Sequence, residues 1–426
     1  MKKFLLLFFV AANAAACAQG QDPILNAKEV ERIENVLASD EMQGRKAGTP
    51  FADKAAEFIS GEFRKAGLQP FSGNSFLQQF SIISPKFLGA KLEIDDVEID
   101  TRNVIVITSQ PDLKVNEKSG YEIQRIGAGE RLSARVQSLM ASGKNVVAFV
   151  DTSFSRNFSR LASFKRQMFA SPGNLVLILG NYEPKEFTVK AEHRIEEIKM
   201  TNVAGIIPGK SRKNEYVIFS AHYDHIGVGM PVDGDSIYNG ANDDAAGTAA
   251  VILLANHFKK LNNNERTLIF VAFTAEESGG FGSRYFSGQI TPGQVAAMFN
   301  IEMIGTESKW GKNSAFITGY DKSDMGTIMQ KNLEGTSFTF HPDPYPTQQL
   351  FYRSDNATLA RLGVPAHTIS TAKMENEPHY HKPSDEVKTL DLQNMTEIIR
   401  AIALSSRSIV AGKDTPSRVK VEELTR

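Results

Sequence analysis

The chain of 426 residues is 41% hydrophobic and nearly neutral, with a formal net charge of -1. That balance lacks the basic footprint of a nucleic-acid binder, so no nucleic-acid partner is expected. The length suffices for a large core, and the single cysteine, Cys17, excludes an intramolecular disulfide.

The chain opens with Lys2 and Lys3, an apolar run over 4–10, and small residues up to Cys17. Segment 1–18 reads as a signal peptide, too short and too rich in small residues to be a durable membrane span. Cys17 after small residues suggests lipid attachment, although Ala14 stands where a larger apolar residue usually begins such a motif. The rival is plain cleavage after Ala16 or Ala18. Either route predicts export: periplasmic, held at the outer membrane as a lipoprotein, or secreted, with membrane contact only through Cys17.

Residues 22–85 read as helical at 27–38 and 51–66, the second placing Ala55, Phe58, Ile59 and Phe63 on one face before Gly67. A Gly-rich loop over 42–50 carries Arg45. Over 86–198 the pattern changes to short strands at 104–107, 146–150, 175–179 and 187–190, broken by helix-like stretches at 129–141 and 158–169. This stretch predicts a smaller inserted β-rich domain without a catalytic cluster, and His193, in a Glu-rich strand, reads as a surface residue.

Residues 199–412 carry the chemistry, opening on an edge strand at 201–209. The run 216–221 is a continuous apolar strand of the kind buried in a parallel sheet, and it breaks into His222, Tyr223, Asp224 and His225. Asn242, Asp243 and Asp244 precede a small-residue helix over 245–261. A second buried strand, 267–273, ends in Glu276 and Glu277, and a third, 296–301, ends in Glu302. Strands at 314–318, 338–341 and 364–369 and helices at 322–333, 355–362 and 392–411 follow. A proline-rich loop over 342–346, with Phe351 and Tyr352, is placed to wall a side-chain pocket or to pack in the core. His379, Tyr380 and His381 sit on a late loop before Asp385, and 413–426 is a polar tail.

In open α/β sheets, ligands bind beyond the carboxyl ends of the strands, and these polar clusters lie there. Imidazole and carboxylate groups without cysteine suit zinc with one position left open for water. Glu276 and Glu277 are adjacent and cannot both face the same way, so one can ligate while the other reaches the water; adjacency does not say which. Among the other histidines, His257 reads as exposed and His341 and His367 as structural. His225 and His379 are candidates to line the cleft and are not assigned as ligands.

The series AHYDH, NGANDDAAGT, FTAEESG, NIEMIG and YHKPSDE resembles the zinc exopeptidase family with two co-catalytic metals, which includes secreted bacterial aminopeptidases and glutamate carboxypeptidase II. The resemblance covers nearly the whole mature chain. It implies an α/β fold in which helices flank a mixed, mostly parallel sheet, and two zinc ions per chain. In that arrangement Asp243 bridges the metals, His222 and Glu302 complete one site, and Glu277 and His381 complete the other. Glu276 would be the general base, Tyr380 would donate its phenolic hydrogen to the developing oxyanion, and Asp224 would hold the far ring nitrogen of His222. Arg45 lies where the family's opening segment falls, or else is a solvated loop charge. The stretch 86–198 resembles a protease-associated insert and would act as a lid or substrate-positioning module.

Two departures stand out. Glu302 replaces the Asp of many relatives, and Asn356 occupies a position where some relatives have His, a pocket-wall or outer position. The implied activity is an aminopeptidase acting on peptide substrates. The alternatives are a carboxypeptidase-like exopeptidase, a glutaminyl cyclase-like cyclotransferase working with one zinc, and a non-enzymatic receptor-like relative, which would be expected to have lost ligands.

Overall fold

Three continuous apolar runs and a fourth buried strand build the centre of the molecule, whose computed structural model describes residues 23–424. Segment 1–18, with Cys17 and the export reading, lies outside the described residues. Within them, no helix is long and apolar enough to cross a membrane.

The strands Arg266–Phe273, Arg212–His222, Val295–Ile301 and Ala366–Ser370 lie side by side in that order, all parallel. Successive side chains alternate faces. Val217, Phe219 and Ala221, with Leu268, Phe270, Ala297 and Phe299, point into one core beneath the helices Ala27–Leu37, Pro50–Lys65, Ala246–Leu261 and Leu392–Ser405. Ile218, Ile269, Val271 and Met298 point into a second core on the opposite face, where the short helices Phe281–Ser287 and Asn356–Ala360 lie. Burial on both faces is why these runs show no polar alternation in the sequence.

Phe219 is 0% exposed, and its ring lies 5.4 Å from Phe270, 5.0 Å from Phe299 and 5.3 Å from Phe258. Phe219→Ala is expected to lower unfolding stability by about 3–5 kcal/mol, read from denaturant midpoints. A loss below about 1 kcal/mol would show that the layer closes over the gap.

Both flanks of this centre depart from parallel pairing. On one side Ser314–Ile317 runs antiparallel to Ala366–Ser370, and Thr339–Pro342 forms the edge. On the other, Phe187–Ile207 pairs antiparallel with Arg266–Phe273, followed by Leu77–Ile94 and Val97–Ile99. With Gln69–Pro70 and Asp112–Asn116, which also pair with Phe187–Ile207, eleven strands of the described residues form one mixed sheet. The segment 201–209, expected at an edge, is therefore interior, because the long strands add to the sheet beyond it.

Those long strands also correct the domain boundaries. Positions 86 and 198 fall inside Leu77–Ile94 and Phe187–Ile207, which pair without a break across both boundaries and take Val97–Ile99 and Asp112–Asn116 as further partners at their far ends. The insert carries its own four-stranded sheet, ordered Val104–Ile107, Leu175–Leu179, Val146–Val150, Glu122–Ile126. Its expected helix over 158–169 is instead a few short helical turns up to Lys165. His193, expected at the surface, is only 3% exposed and packs against the edge of Phe87, since alternation along its strand turns it inward. The described part of the tail, 413–424, is docked: Arg266, itself buried, donates to the Asp414 carbonyl at 2.6 Å, and Arg418 donates to the Val295 carbonyl at 2.7 Å.

Candidate metal centre

The four central strands end together, so the residues that follow them meet in one cleft. His222 is the last residue of Arg212–His222, Glu276 and Glu277 follow Arg266–Phe273 closely, and Glu302 follows Val295–Ile301 directly. Asp243 lies in the turn Ala241–Ala245, which leads into the Ala246–Leu261 helix. The loop after Ala366–Ser370 brings Tyr380 and His381 over the same point. Ala275, Met303 and His381 have positive φ values of 59°, 53° and 54°, an uncommon conformation for residues with side chains. Backbone strain of this kind clusters where geometry is functional.

The two carboxylate oxygens of Asp243 face different histidines. Oδ1 lies 3.3 Å from His222 Nε2, and Oδ2 lies 3.3 Å from His381 Nε2. His381 Nε2 is also 3.3 Å from Glu277 Oε2. A tetrahedral zinc with bonds near 2.0–2.1 Å holds neighbouring ligand atoms roughly 3.3 Å apart, so all three separations match two ions sharing Asp243. Ligand atoms of His222, Asp243 and Glu302 lie within 4.8 Å of one another, as do those of His225, Asp243 and Glu277. His222 Nε2, Glu277 Oε1 and Glu302 Oε2 are buried without an aligned hydrogen-bond partner, a costly state that bound cations would relieve. The donor set and its spacing therefore fit zinc.

His225 is the residue that sequence reasoning left aside. It is 1% exposed, and its Nδ1 lies 2.7 Å from Glu277 Oε1 and 3.9 Å from Asp243 Oδ2. The shorter distance is too close for two ligands of one tetrahedral zinc, and both His225 ring nitrogens are buried without an aligned hydrogen-bond partner. The only signal for it in the sequence was its place directly after Asp224 and three residues after His222. His379, the other cleft candidate, turns instead to Ser384 Oγ at 3.0 Å.

Asp224 departs from its expected contact. The Nδ1 atom of His222 is held by the backbone carbonyl of Asp224 at 3.1 Å, while the carboxylate stands 3.8 Å away. That carboxylate accepts the Glu276 N–H at 3.1 Å, which fixes the backbone of the expected general base. Asp244 does similar work nearby: its carboxylate accepts from His222 N at 3.3 Å and from Met303 N at 3.1 Å, beside Glu302. Asn356 takes no part; its amide donates to the Phe351 and Ala366 carbonyls and ties a helix to a strand.

Burial sets the electrostatics. It pushes the Glu302 carboxyl up to about 7, and Glu276 well above the usual carboxylate range, with Glu302, Asp355 and Glu277 adding repulsion. Burial also raises Asp243, but the imidazoles of His222 and His381, each 3.3 Å away, outweigh it and hold that carboxyl well below its ordinary value. Burial and the neighbouring carboxylates raise the Tyr380 phenol, keeping it protonated as a donor. Tyr380 stacks on His381 at 3.9 Å and lines an open pocket of about 430 Å³ with Glu302, Phe316, Leu350, Arg353 and Met374. Of the aromatics considered as pocket walls, Phe351 is 4% exposed and belongs to the core.

Residues 202–405 match the model of peptidase family M28. Leucine aminopeptidase 1 of Chaetomium globosum is 28% identical over 224 residues, 50% of this chain and 54% of that protein. Aminopeptidase YwaD of Bacillus subtilis is 22% identical over 245 residues, 56% and 50% respectively. The chain thus spans about half the length of these curated relatives. Among solved structures, a zinc aminopeptidase from Bacillus subtilis aligns with a TM-score of 0.55 at 19% identity, covering 93% of this chain and 98% of that one. The aminopeptidase of Aneurinibacillus sp. strain AM-1 aligns with a TM-score of 0.54 at 19% identity, covering 94% and 97%. These two share the fold, including the part outside the M28 match. All five candidate ligands lie within the M28 segment.

Proposed function

We propose that the protein is a zinc-dependent exopeptidase, an aminopeptidase that removes N-terminal residues from peptides with two zinc ions per chain. The observation that carries the reading is Asp243, whose two oxygens stand at zinc-compatible distances from two different histidines. His222 and Glu302 would hold one ion, and Glu277 and His381 the other. When bound, two such ions lower the pKa of a shared water towards about 7 and polarise the scissile carbonyl.

The chain supplies the remaining steps. Glu276, with a carboxyl of raised pKa, takes a proton from the attacking water and returns it to the leaving amine. Tyr380 donates its O–H to the carbonyl oxygen as charge develops there. The adjacent pocket, walled by Phe316, Leu350 and Met374, takes the side chain of the residue being removed. The insert acts as a lid or positioning module. Export through segment 1–18, with or without a lipid on Cys17, belongs to the same proposal.

The test is hydrolysis of aminoacyl, N-blocked and C-terminally acidic peptides by the purified chain, with metal counted on the same sample. Cleavage of free-amine substrates that stops on chelation and returns with zinc is expected. Cleavage of N-blocked peptides alone would replace the aminopeptidase reading with a carboxypeptidase-like one.

A further inference from the structure

We infer that Arg45 and Asp385 are positioning residues that jointly fix the turn bearing Asp243, one gripping its carbonyls and the other its amides. Arg45 is not a solvated loop charge. It is 0% exposed, and its guanidinium donates to the carbonyls of Tyr223 at 2.7 Å, Leu37 at 2.5 Å, Asn239 at 2.6 Å and Gly240 at 2.9 Å. Asp385 is 1% exposed and takes up the next three residues. Its backbone carbonyl accepts Ala241 N at 3.1 Å, Oδ1 accepts Asn242 N at 2.8 Å, and Oδ2 accepts Asp243 N at 3.0 Å. Every residue from Asn239 to Asp243 is thereby held by one or the other.

The turn has no slack. Gly240 has φ 58°, and a Cβ there would meet the Asp243 carbonyl oxygen at 2.2 Å and the His225 ring at 2.6 Å. Only a planar fork with several fixed donors reaches three separate segments at once, which Lys does not reproduce. Arg45 also lies outside the M28 match, so it ties the N-terminal segment to the centre, while Asp385 ties in the loop that carries His381. Because Asp243 faces both His222 and His381, a shift of this turn disturbs both metal sites together. Loss of either histidine disturbs one.

This inference rests on the reading of Asp243 as a shared metal ligand. The full-length chain, stripped by chelation, is titrated with zinc against a chromophoric competitor for wild type, Arg45→Lys, Asp385→Ala and the near-isosteric Asp385→Asn. Thermal unfolding of each metal-free form checks the fold. Affinity at both sites is expected to fall together by about 10–100-fold in Arg45→Lys and Asp385→Ala, and by less in Asp385→Asn, which keeps one acceptor. Folded variants with wild-type affinity, or with loss confined to one site, would overturn the inference. A wild type that binds no zinc removes the metal reading itself, and that arm is judged without any variant.

Discussion

Glu276→Gln is expected to lower turnover by about 10²–10⁴-fold while metal content stays at the wild-type level. The amide keeps the size of the carboxyl but cannot take a proton from water. Glu276 N remains bonded to the Asp224 carboxylate, so the loop that also carries Glu277 stays in place. Burial and the surrounding carboxylates raise the Glu276 carboxyl, the direction that strengthens it as a base. The check is kcat on a free-amine substrate together with metal analysis. Unchanged turnover would remove Glu276 from the chemistry; turnover lost together with zinc would make it a ligand and hand the proton transfer to another group.

Asp243→Asn should do more damage, because it acts on the site rather than on one step. The carboxylate is the one group placed between His222 and His381, and an amide offers a single oxygen and half the ligation. Metal content is expected to fall below one zinc per chain. Turnover should fall by at least about 10³-fold, the equivalent of several kcal/mol of lost transition-state stabilisation. The metal-free fold should survive, because the change removes a charge from a buried cluster already crowded with carboxylates. A variant that keeps two zincs would show that Asp243 does not bridge.

Much of the centre was legible in the sequence because its strands are buried on both faces. The runs 216–221, 267–273 and 296–301 are continuously apolar and stop where polar residues begin, so the strands and the candidate positions at their ends, His222, Glu276, Glu277 and Glu302, follow from one pattern. His222, Asp243, Glu276, Glu277, Glu302, Tyr380 and His381 come together in one cleft accordingly. The strand Leu77–Ile94 was hidden, and Phe187–Ile207 was legible only at its two ends, because exposed charged residues interrupt the buried ones along both and match the pattern of surface loops. Arg45 was ambiguous for a related reason. A charged residue in a Gly-rich loop usually faces water, and only the folded chain shows four carbonyls converging on it. His225 follows His222 by three residues on a turn, and nothing in local spacing says that it swings back to Glu277. The contact of Asp224 was misassigned between its side chain and its own carbonyl, a distinction that sequence does not encode.

The central claim is that one carboxylate holds two metals, and anomalous diffraction at the zinc edge from crystals of the full chain tests it most directly. Two peaks are predicted on either side of Asp243, one bounded by His222 and Glu302 and the other by Glu277 and His381. A single peak, or a second ion held by His225 in place of His381, would contradict the account.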